Sequence, residues 1–574
     1  MGDGIMAENK TKLNDGMYVI GGLFIAISVL MFASPNMPSM ENDWVTLPLI
    51  GLPILGSLLL MGFASAVPAW RKESVSETIK YASLGIALIV LIITTLMMTD
   101  ILMNVHWANI TFNQYMYEVE YNWINSIGAE WHVGIDGLSM PMVWLTALLV
   151  PITIITTWNE KKPWYYHPLL ILMGGCLIGV FVSLDFFMFY VFWELTLVPM
   201  FFLILNWGGK ERKYAAQKFF IYTFTASILM LLGIITLYLL QDPSTANASI
   251  TGRTFDMHDM IQNAQEQVIL GNIWLGPGVQ KLLFVLFMAG FLVKLPVVPF
   301  HTWLPDAHVQ APTGGSMLLA GVMLKMGAYG MFRIPISMFP YALVEFQMPL
   351  MIIGMISLFY GAWVCLGQTN LKRMVAYSSV SHMGIILLGI ASLQPLGFAG
   401  AIFMMFAHGL ISPMLFGVAG AFKHHYHTLE IGSMRGMAKH SPWLAGNMMF
   451  SWMGSLGLPL LAGFVAEVAV LIALWFEFGW WVIIPGITLA ITAAYYLWSM
   501  QRTIFEGGEN TELPKSLGDE KPRDIALSEN IGLISLAILI VIFGIFPVIF
   551  FEMMSGYSSE LIKQMLMDDI MGRW

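Results

Sequence analysis

Runs of apolar residues, separated by short polar segments, recur from one end of this sequence to the other. A helix of about twenty such residues crosses the hydrocarbon core of a bilayer. About fifteen stretches qualify. They begin near residues 17, 45, 80, 138, 168, 186, 219, 281, 316, 348, 374, 398, 443, 479 and 530, and are taken as spans 1 to 15. A β-barrel would alternate apolar and polar positions instead. Only 11% of the 574 residues are charged, against about 25% in an average soluble protein, too few to cover soluble domains. The 27 Lys+Arg against 36 Asp+Glu offer no basic face to nucleic acid. The expected fold is an all-α polytopic membrane protein.

Basic residues test how the chain weaves, because Lys and Arg collect on the cytoplasmic side. Lys10 and Lys12 precede span 1, and Arg71, Lys72 and Lys80 lie between spans 2 and 3. Lys161 and Lys162 follow span 4, and Lys210, Arg212, Lys213 and Lys218 follow span 6. Lys372 and Arg373 precede span 11; Lys423, Arg435 and Lys439 follow span 12; Arg502, Lys515, Lys521 and Arg523 follow span 14. Simple weaving puts all of these on one face. The other face keeps Arg253, Lys281, Arg333, Lys563 and Arg573, and its long loop 100–136 has no Lys or Arg. The N-terminus is expected in the cytoplasm and the C-terminus outside. Span 1 has the look of a signal peptide, but Pro35 sits where a cleaved chain would begin.

Two stretches do not fit one straight helix. Residues 443 to 477 would run roughly 50 Å at the helical rise, against a core of about 30 Å, and they contain Gly457-Leu458-Pro459 and Gly463. Residues 281–305 contain Pro296, Pro299 and Pro305. Both are expected to be broken helices, which are tolerated where protein or water covers the exposed backbone and which mark ion paths in transporters.

A charge near the bilayer centre costs about 2.5 kcal/mol or more, so each needs a reason. Glu194 lies in span 6, Lys294 in span 8, Lys325 in span 9, His382 in span 11, His408 in span 12, and Glu467 just past the break in span 13. By residue count all sit near the midplane, in a layer parallel to the membrane. Such a layer suits lateral charge coupling and proton passage. A buried lysine changes protonation as a carboxylate's influence comes and goes, histidine relays a proton in either direction, and a carboxylate at the far end releases it to water.

Plainer readings stand beside these. A buried Glu–Lys pair is often a structural ion pair, and His408 alone fits a satisfied core histidine. Loop packing fits His301 and His308 as well as relay does. Lys218 reads as snorkelling more readily than conducting. Asp185 reads as solvated or capping. The run His424-His425-Tyr426-His427 reads as solvated, with a metal site as the outside alternative. Cys176 and Cys365 stand alone and read as small core hydrophobes. No Walker sequence or strand-linked GxGxxG points to a nucleotide.

Several of these segments together resemble one family. Phe192-Trp193-Glu194-Leu195-Thr196-Leu197-Val198-Pro199 is similar to the glutamate motif of the M (chain 4) type of antiporter-like subunit in proton-pumping NADH:quinone oxidoreductase, respiratory complex I. The run from Lys294 through His301-Thr302-Trp303-Leu304-Pro305-Asp306-Ala307-His308 to Thr313 resembles the antiporter-like subunits, as does Leu318 to Tyr329 around Lys325. Gly134 to Ser139, Ala376 to Gly384 and Ala407-His408-Gly409 add to the likeness, which covers about residues 45–505.

The resemblance implies a 14-helix core with two inverted five-helix repeats, each with a broken helix. Residues 1–44 then form a tail and an extra span, 45–158 the N-terminal helices of the core, 168–337 and 348–505 the repeats, and 506–574 a cytoplasmic loop, the last span and a tail. Glu194 would couple to Lys294, Lys325 would be the connecting lysine, His382 would lie on the hydrated axis, and Glu467 would be the exit-side carrier. His408, Lys218 and His301 are secondary candidates. The chain itself would hold no cofactor and no metal, with flavin and iron–sulfur clusters in partner subunits. Partners would be antiporter-like neighbours on both sides and quinone-site subunits, in a cell (inner or plasma) membrane. Span 1 departs from the family pattern and is read as a lateral contact. The rivals are a subunit of a multi-subunit Na+/H+ antiporter, the same module in a hydrogenase, ferredoxin- or F420-linked complex, and a haem carrier using His382 and His408.

Overall fold

The apolar stretches are helices in the computed structural model, which describes residues 43–68, 72–105, 114–241, 252–261, 276–433, 435–505, 517 and 523–567. Span 1 and the partner contact read for it lie outside the described residues. Among the described residues, thirteen stretches are long and apolar enough to cross a membrane. One of them, Ala462–Phe505, is divided by a 3-10 turn at Gly479–Val482.

In chain order the helices are α1 Thr46–Ala66, α2 Lys72–Asn104, α3 Ser139–Thr156, α4 Pro163–Val182, α5 Phe186–Leu195, α6 Leu197–Trp207, α7 Arg212–Leu240, α8 Pro277–Lys294 and α9 Trp303–Gln310. There follow α10 Thr313–Ile336, α11 Gln347–Leu366, α12 Leu371–Ala391, α13 Pro395–Tyr426, α14 Pro442–Ser455, α15 Ala462–Phe478, α16 Ile483–Met500, α17 Leu527–Ile545 and α18 Val548–Met567. Four of these helices, α4, α8, α13 and α14, open on a proline, where the missing amide would have had no partner anyway. Asp185 caps α5 by accepting from the Met188 amide at 2.9 Å, and Asn370 caps α12 from the Arg373 amide at 3.1 Å. Asp185 also accepts from the Glu130 amide and is fully buried, so it caps and is not solvated.

Both expected breaks are present. Helix α8 stops at Lys294, before Pro296 and Pro299, which have no amide to continue the ladder. The freed carbonyl of Val293 accepts from Trp303 Nε1 at 3.0 Å, tying α9 back to the end of α8. The second break separates α14 from α15 and contains Gly457 in the left-handed region at φ 78°. Span 6 is also interrupted, between α5 and α6 at Thr196, two residues past Glu194. Pro199 cannot donate to the Leu195 carbonyl, and its ring crowds it.

The ends of the helices sort onto two faces. Thr156, Trp207, Arg212, Thr313, Lys372, His424 and Glu529 line one cavity, so the ends of α3, α6 and α13 meet the starts of α7, α10, α12 and α17. On the opposite face Ser183 bridges Val133, and Asp185 bridges Asp256. That alternation is the weave expected from the basic residues.

The stretch 100–136 is not the plain loop expected. Residues Met116–Ile124 (β1) and Ala129–Ile135 (β2) form an antiparallel hairpin. The sequence alternates there, with Val119 buried between exposed Glu118 and Glu120, and Gly128 takes φ 69° at the turn. Of the C-terminal segment, Val548–Met567 is likewise helical, as α18 packed on α13.

Burial separates the centre of the bundle from its lipid-facing rim. The apolar windows of α10 and α13 are 100% buried, and that of α12 94%, whereas those of α1 and α17 are 28% buried. Helices α10, α12 and α13 carry Lys325, His382 and His408, so these three sit on helices covered by protein.

Candidate proton-relay axis

Lys325 lies within α10, two residues past the end of a π-helical turn, Leu319–Met323. A π turn widens the backbone ladder, and the Lys325 ammonium donates to the Ala320 carbonyl inside that turn. Its second partner is His408 Nδ1 on α13, at 2.8 Å. The His408 ring lies 5.3 Å from the His382 ring, centre to centre, tilted by 50°. His382 Nδ1 lies 2.8 Å from the Ser378 carbonyl, and Nε2 lies 3.2 Å from the Ser455 carbonyl at the end of α14. The same Nε2 is 3.8 Å from Glu467 Oε1 on α15. Lys325, His408, His382 and Glu467 are all buried and form one chain of neighbours.

Both ring nitrogens of His382 face oxygen acceptors. An imidazolium satisfies both as a donor, and Glu467 supplies the opposite charge. At 3.8 Å the two atoms are close enough for charge attraction and lie beyond hydrogen-bond distance. The broken helix places these groups: the Ser455 carbonyl is at the end of one half and Glu467 is in the first turns of the other. Gly457 closes over the carboxylate so tightly that a Cβ there would fall 2.2 Å from Glu467 Oε2.

Lys294 is the last residue of α8 and is buried. Its Nζ has no hydrogen-bond partner among the described residues and lies 5.3 Å from the Trp193 ring centre. Glu194, the next residue along from that ring, is half-buried and accepts from Ser227 Oγ on α7. Glu194 and Lys294 are therefore neighbours across Trp193, not a closed structural ion pair. Gly327 brings the two lysine-bearing helices together: a Cβ there would fall 2.6 Å from the Leu295 amide and 2.7 Å from the Phe291 carbonyl.

Of the secondary candidates His408 belongs to this series, whereas Lys218 and His301 lie apart from it. Lys218 makes a 2.6 Å ion pair with Asp306 on α9. His301 packs edge-on against Tyr360 and Tyr377, and its Nδ1 has no partner among the described residues. His308 stacks on Phe416 at 4.1 Å, with neither ring nitrogen bonded to a described residue. The histidine run read as solvated is tied down: His424 Nδ1 and His425 Nε2 lie 3.0 and 2.8 Å from the two oxygens of Glu529. These three groups have donor atoms within 4.8 Å of one another, close enough to share a metal ion.

Sequence reasoning did not reach Ser227, the Ala320 and Ser455 carbonyls, or the Arg333–Asp136 pair. The last is a 2.7 Å buried ion pair that fixes the end of α10 to the residue after β2. Asp136 belongs to the quoted Gly134–Ser139 segment, and that was the available signal. A hydroxyl or a carbonyl in an apolar run gives none.

A bundle of spanning helices, with lysine, histidine and glutamate linked through its most buried layer, defines an antiporter-like membrane subunit. The chain belongs to the family described as NADH:quinone oxidoreductase/Mrp antiporter, TM, which matches residues 183–492. It is 42% identical over 448 residues to F(420)H(2) dehydrogenase subunit M of Methanosarcina mazei, covering 77% of this chain and 86% of that protein. It is 37% identical over 446 residues to NADH-quinone oxidoreductase subunit M of Escherichia coli, covering 76% and 83%. Among solved structures, a chain of respiratory complex I from Thermus thermophilus superposes with a TM-score of 0.76 at 26% identity, over 91% of this chain and 99% of that one. A chain of the Mrp complex from Dietzia gives a TM-score of 0.74 at 20% identity, over 92% and 99% respectively, which is a likeness of fold.

Proposed function

We propose that this chain is the M-type proton-translocating membrane subunit of an NADH:quinone oxidoreductase, and that it performs no redox chemistry itself. The observation that carries the proposal is the series of buried neighbours Lys325, His408, His382 and Glu467: a hydrogen bond joins the first two, a ring contact joins His408 to His382, and 3.8 Å separates His382 Nε2 from Glu467 Oε1.

In this reading Lys294 is the switch. It is held among apolar groups and the Trp193 face, so a change at Glu194 alters whether it stays charged. A proton leaving Lys325 passes to His408 Nδ1, through the two rings to His382 Nε2, and on to Glu467, which releases it. Electron transfer in partner subunits supplies the drive through charge and conformation. Flavin and iron–sulfur clusters belong to those partners. Antiporter-like neighbours flank the chain in a cell membrane, with the basic face and N-terminus in the cytoplasm and the C-terminus outside. The two broken helices belong to two inverted repeats, about 168–337 and 348–505.

A second reading changes only the electron donor. The 42% identity to an F(420)H(2) dehydrogenase subunit M favours the same pump in a complex fed by that donor.

The test is donor-driven proton pumping in membranes carrying Glu194→Gln or Lys294→Ala. Pumping is expected to be lost while the subunit stays assembled. Wild-type pumping in both variants would remove the proposed roles.

A further inference from the structure

The cavity on the basic face has a volume of about 700 Å³, within the range of pockets that hold small ligands. Its wall carries Lys161, Lys162, Arg212, Lys372 and Lys423. Among the described residues of its lining, two carboxylates oppose them, Glu160 and Glu529. Glu529 is already engaged by His424, His425 and the Ala526 amide.

Lys372 decides the sign of the ligand. It is 1% exposed, and its Nζ donates to the Ala311 carbonyl at 2.8 Å and to Ser316 Oγ at 3.2 Å. Neither partner carries charge. A buried cation is costly without a counter-charge, and the open space beside this one is rimmed by four more cations. A cation would be repelled there, whereas an anion with several acceptor oxygens would complete the site.

The cavity's position suggests how such an anion arrives. One edge is formed by Trp207 and Arg212, where α6 ends and α7 begins. Those two helices expose Phe202, Tyr214 and Ile221 along the bundle rim. Basic pockets between helix ends on the cytoplasmic side suit phosphate headgroups.

We propose that this cavity binds a phosphate-bearing anion, an acidic phospholipid headgroup or a soluble phosphate, with Lys372 at its floor and Lys161, Lys162, Arg212 and Lys423 at its rim. The ligand joins the ends of α3, α6 and α13 to the starts of α7, α12 and α17, and so braces the face from which protons are taken up.

The intact complex, purified in neutral detergent, is offered phosphatidylglycerol or phosphatidylcholine, and retained lipid is read by native mass spectrometry. Radiolabelled inorganic phosphate is tested in parallel by equilibrium dialysis. The variants are the rim pair Lys161→Gln with Lys423→Gln, whose side chains are exposed, and separately Lys372→Gln. Expected is retention of phosphatidylglycerol over phosphatidylcholine, weakened on the order of tenfold in the rim pair. Saturable phosphate binding without retained lipid, also lost in the variants, supports the site and assigns it to a soluble ligand. Retention that ignores both headgroup charge and the substitutions, with no phosphate binding, overturns the proposal.

Discussion

Lys325 Nζ lies 2.8 Å from His408 Nδ1, so the two residues share a proton between them. When the lysine is charged, Nδ1 accepts. When the lysine is neutral, Nδ1–H donates back to it. Arginine keeps the charge and cannot release the proton. Lys325→Arg is therefore predicted to cut proton pumping on the order of tenfold or more, with the subunit still in the membrane. Fluorescence quenching in inverted vesicles measures it, and normal quenching would show that Lys325 need not give up its proton.

Gly457 is predicted to be intolerant of any side chain. Its φ of 78° costs an L-residue about 1–2 kcal/mol, and an added Cβ would fall 2.2 Å from Glu467 Oε2. Gly457→Ala should lower the thermal midpoint of the complex and its pumping together. Gly446→Ala, with nothing within 4 Å of the new Cβ, should change neither. Equal behaviour of the two variants would separate Gly457 from the carboxylate.

Outside the spanning helices, His132 of β2 joins Asp256 and Glu118. Burial pulls its pKa down, but the hydrogen bonds and charges of Asp256 and Glu118 outweigh this and raise it from 6.5 to about 10. A raised histidine value means that the charged form stabilises the fold. The contribution is complete below the ordinary value of 6.5 and is lost as pH rises through about 10. Hydrogen exchange of the hairpin amides should show protection falling over that upper window. His132→Gln should remove the step, and a step that persists would assign it to another group.

Asp136 and Arg333 form a buried ion pair at 2.7 Å. Removing one partner strands the other, which costs about 3–5 kcal/mol. Asp136→Asn is predicted to destabilise the complex by that order in denaturant titration. A change within the scatter of surface substitutions would mean that Arg333 has other support.

The parts legible in the sequence were those that a bilayer penalises. Glu194, Lys294, Lys325, His382, His408 and Glu467 stood out because ionisable groups are costly in apolar runs, and prolines marked the ends of α8 and α14. Five of the basic residues expected on one face, Lys161, Lys162, Arg212, Lys372 and Lys423, do line one cavity. What stayed hidden depends on packing between distant segments. Ser227 matters because α7 lies beside α5, and the Ala320 and Ser455 carbonyls matter because of a π turn and a helix break. None of these carries a residue-type signal. The hairpin's alternation was visible, but it was short and set among much longer apolar runs. Lys372 counted as one more basic residue at a helix start, and nothing local set it apart from its exposed neighbours.

The proton-to-electron ratio of the reconstituted complex, with wild-type or Glu467→Gln subunit, bears most directly on the relay. Glutamine keeps the size of the side chain at the end of the series and removes its ability to carry a proton. A lowered ratio at the same assembly is predicted. A ratio equal to wild type, at equal rates of quinone reduction, would mean that protons do not travel from Lys325 through His408 and His382 to Glu467.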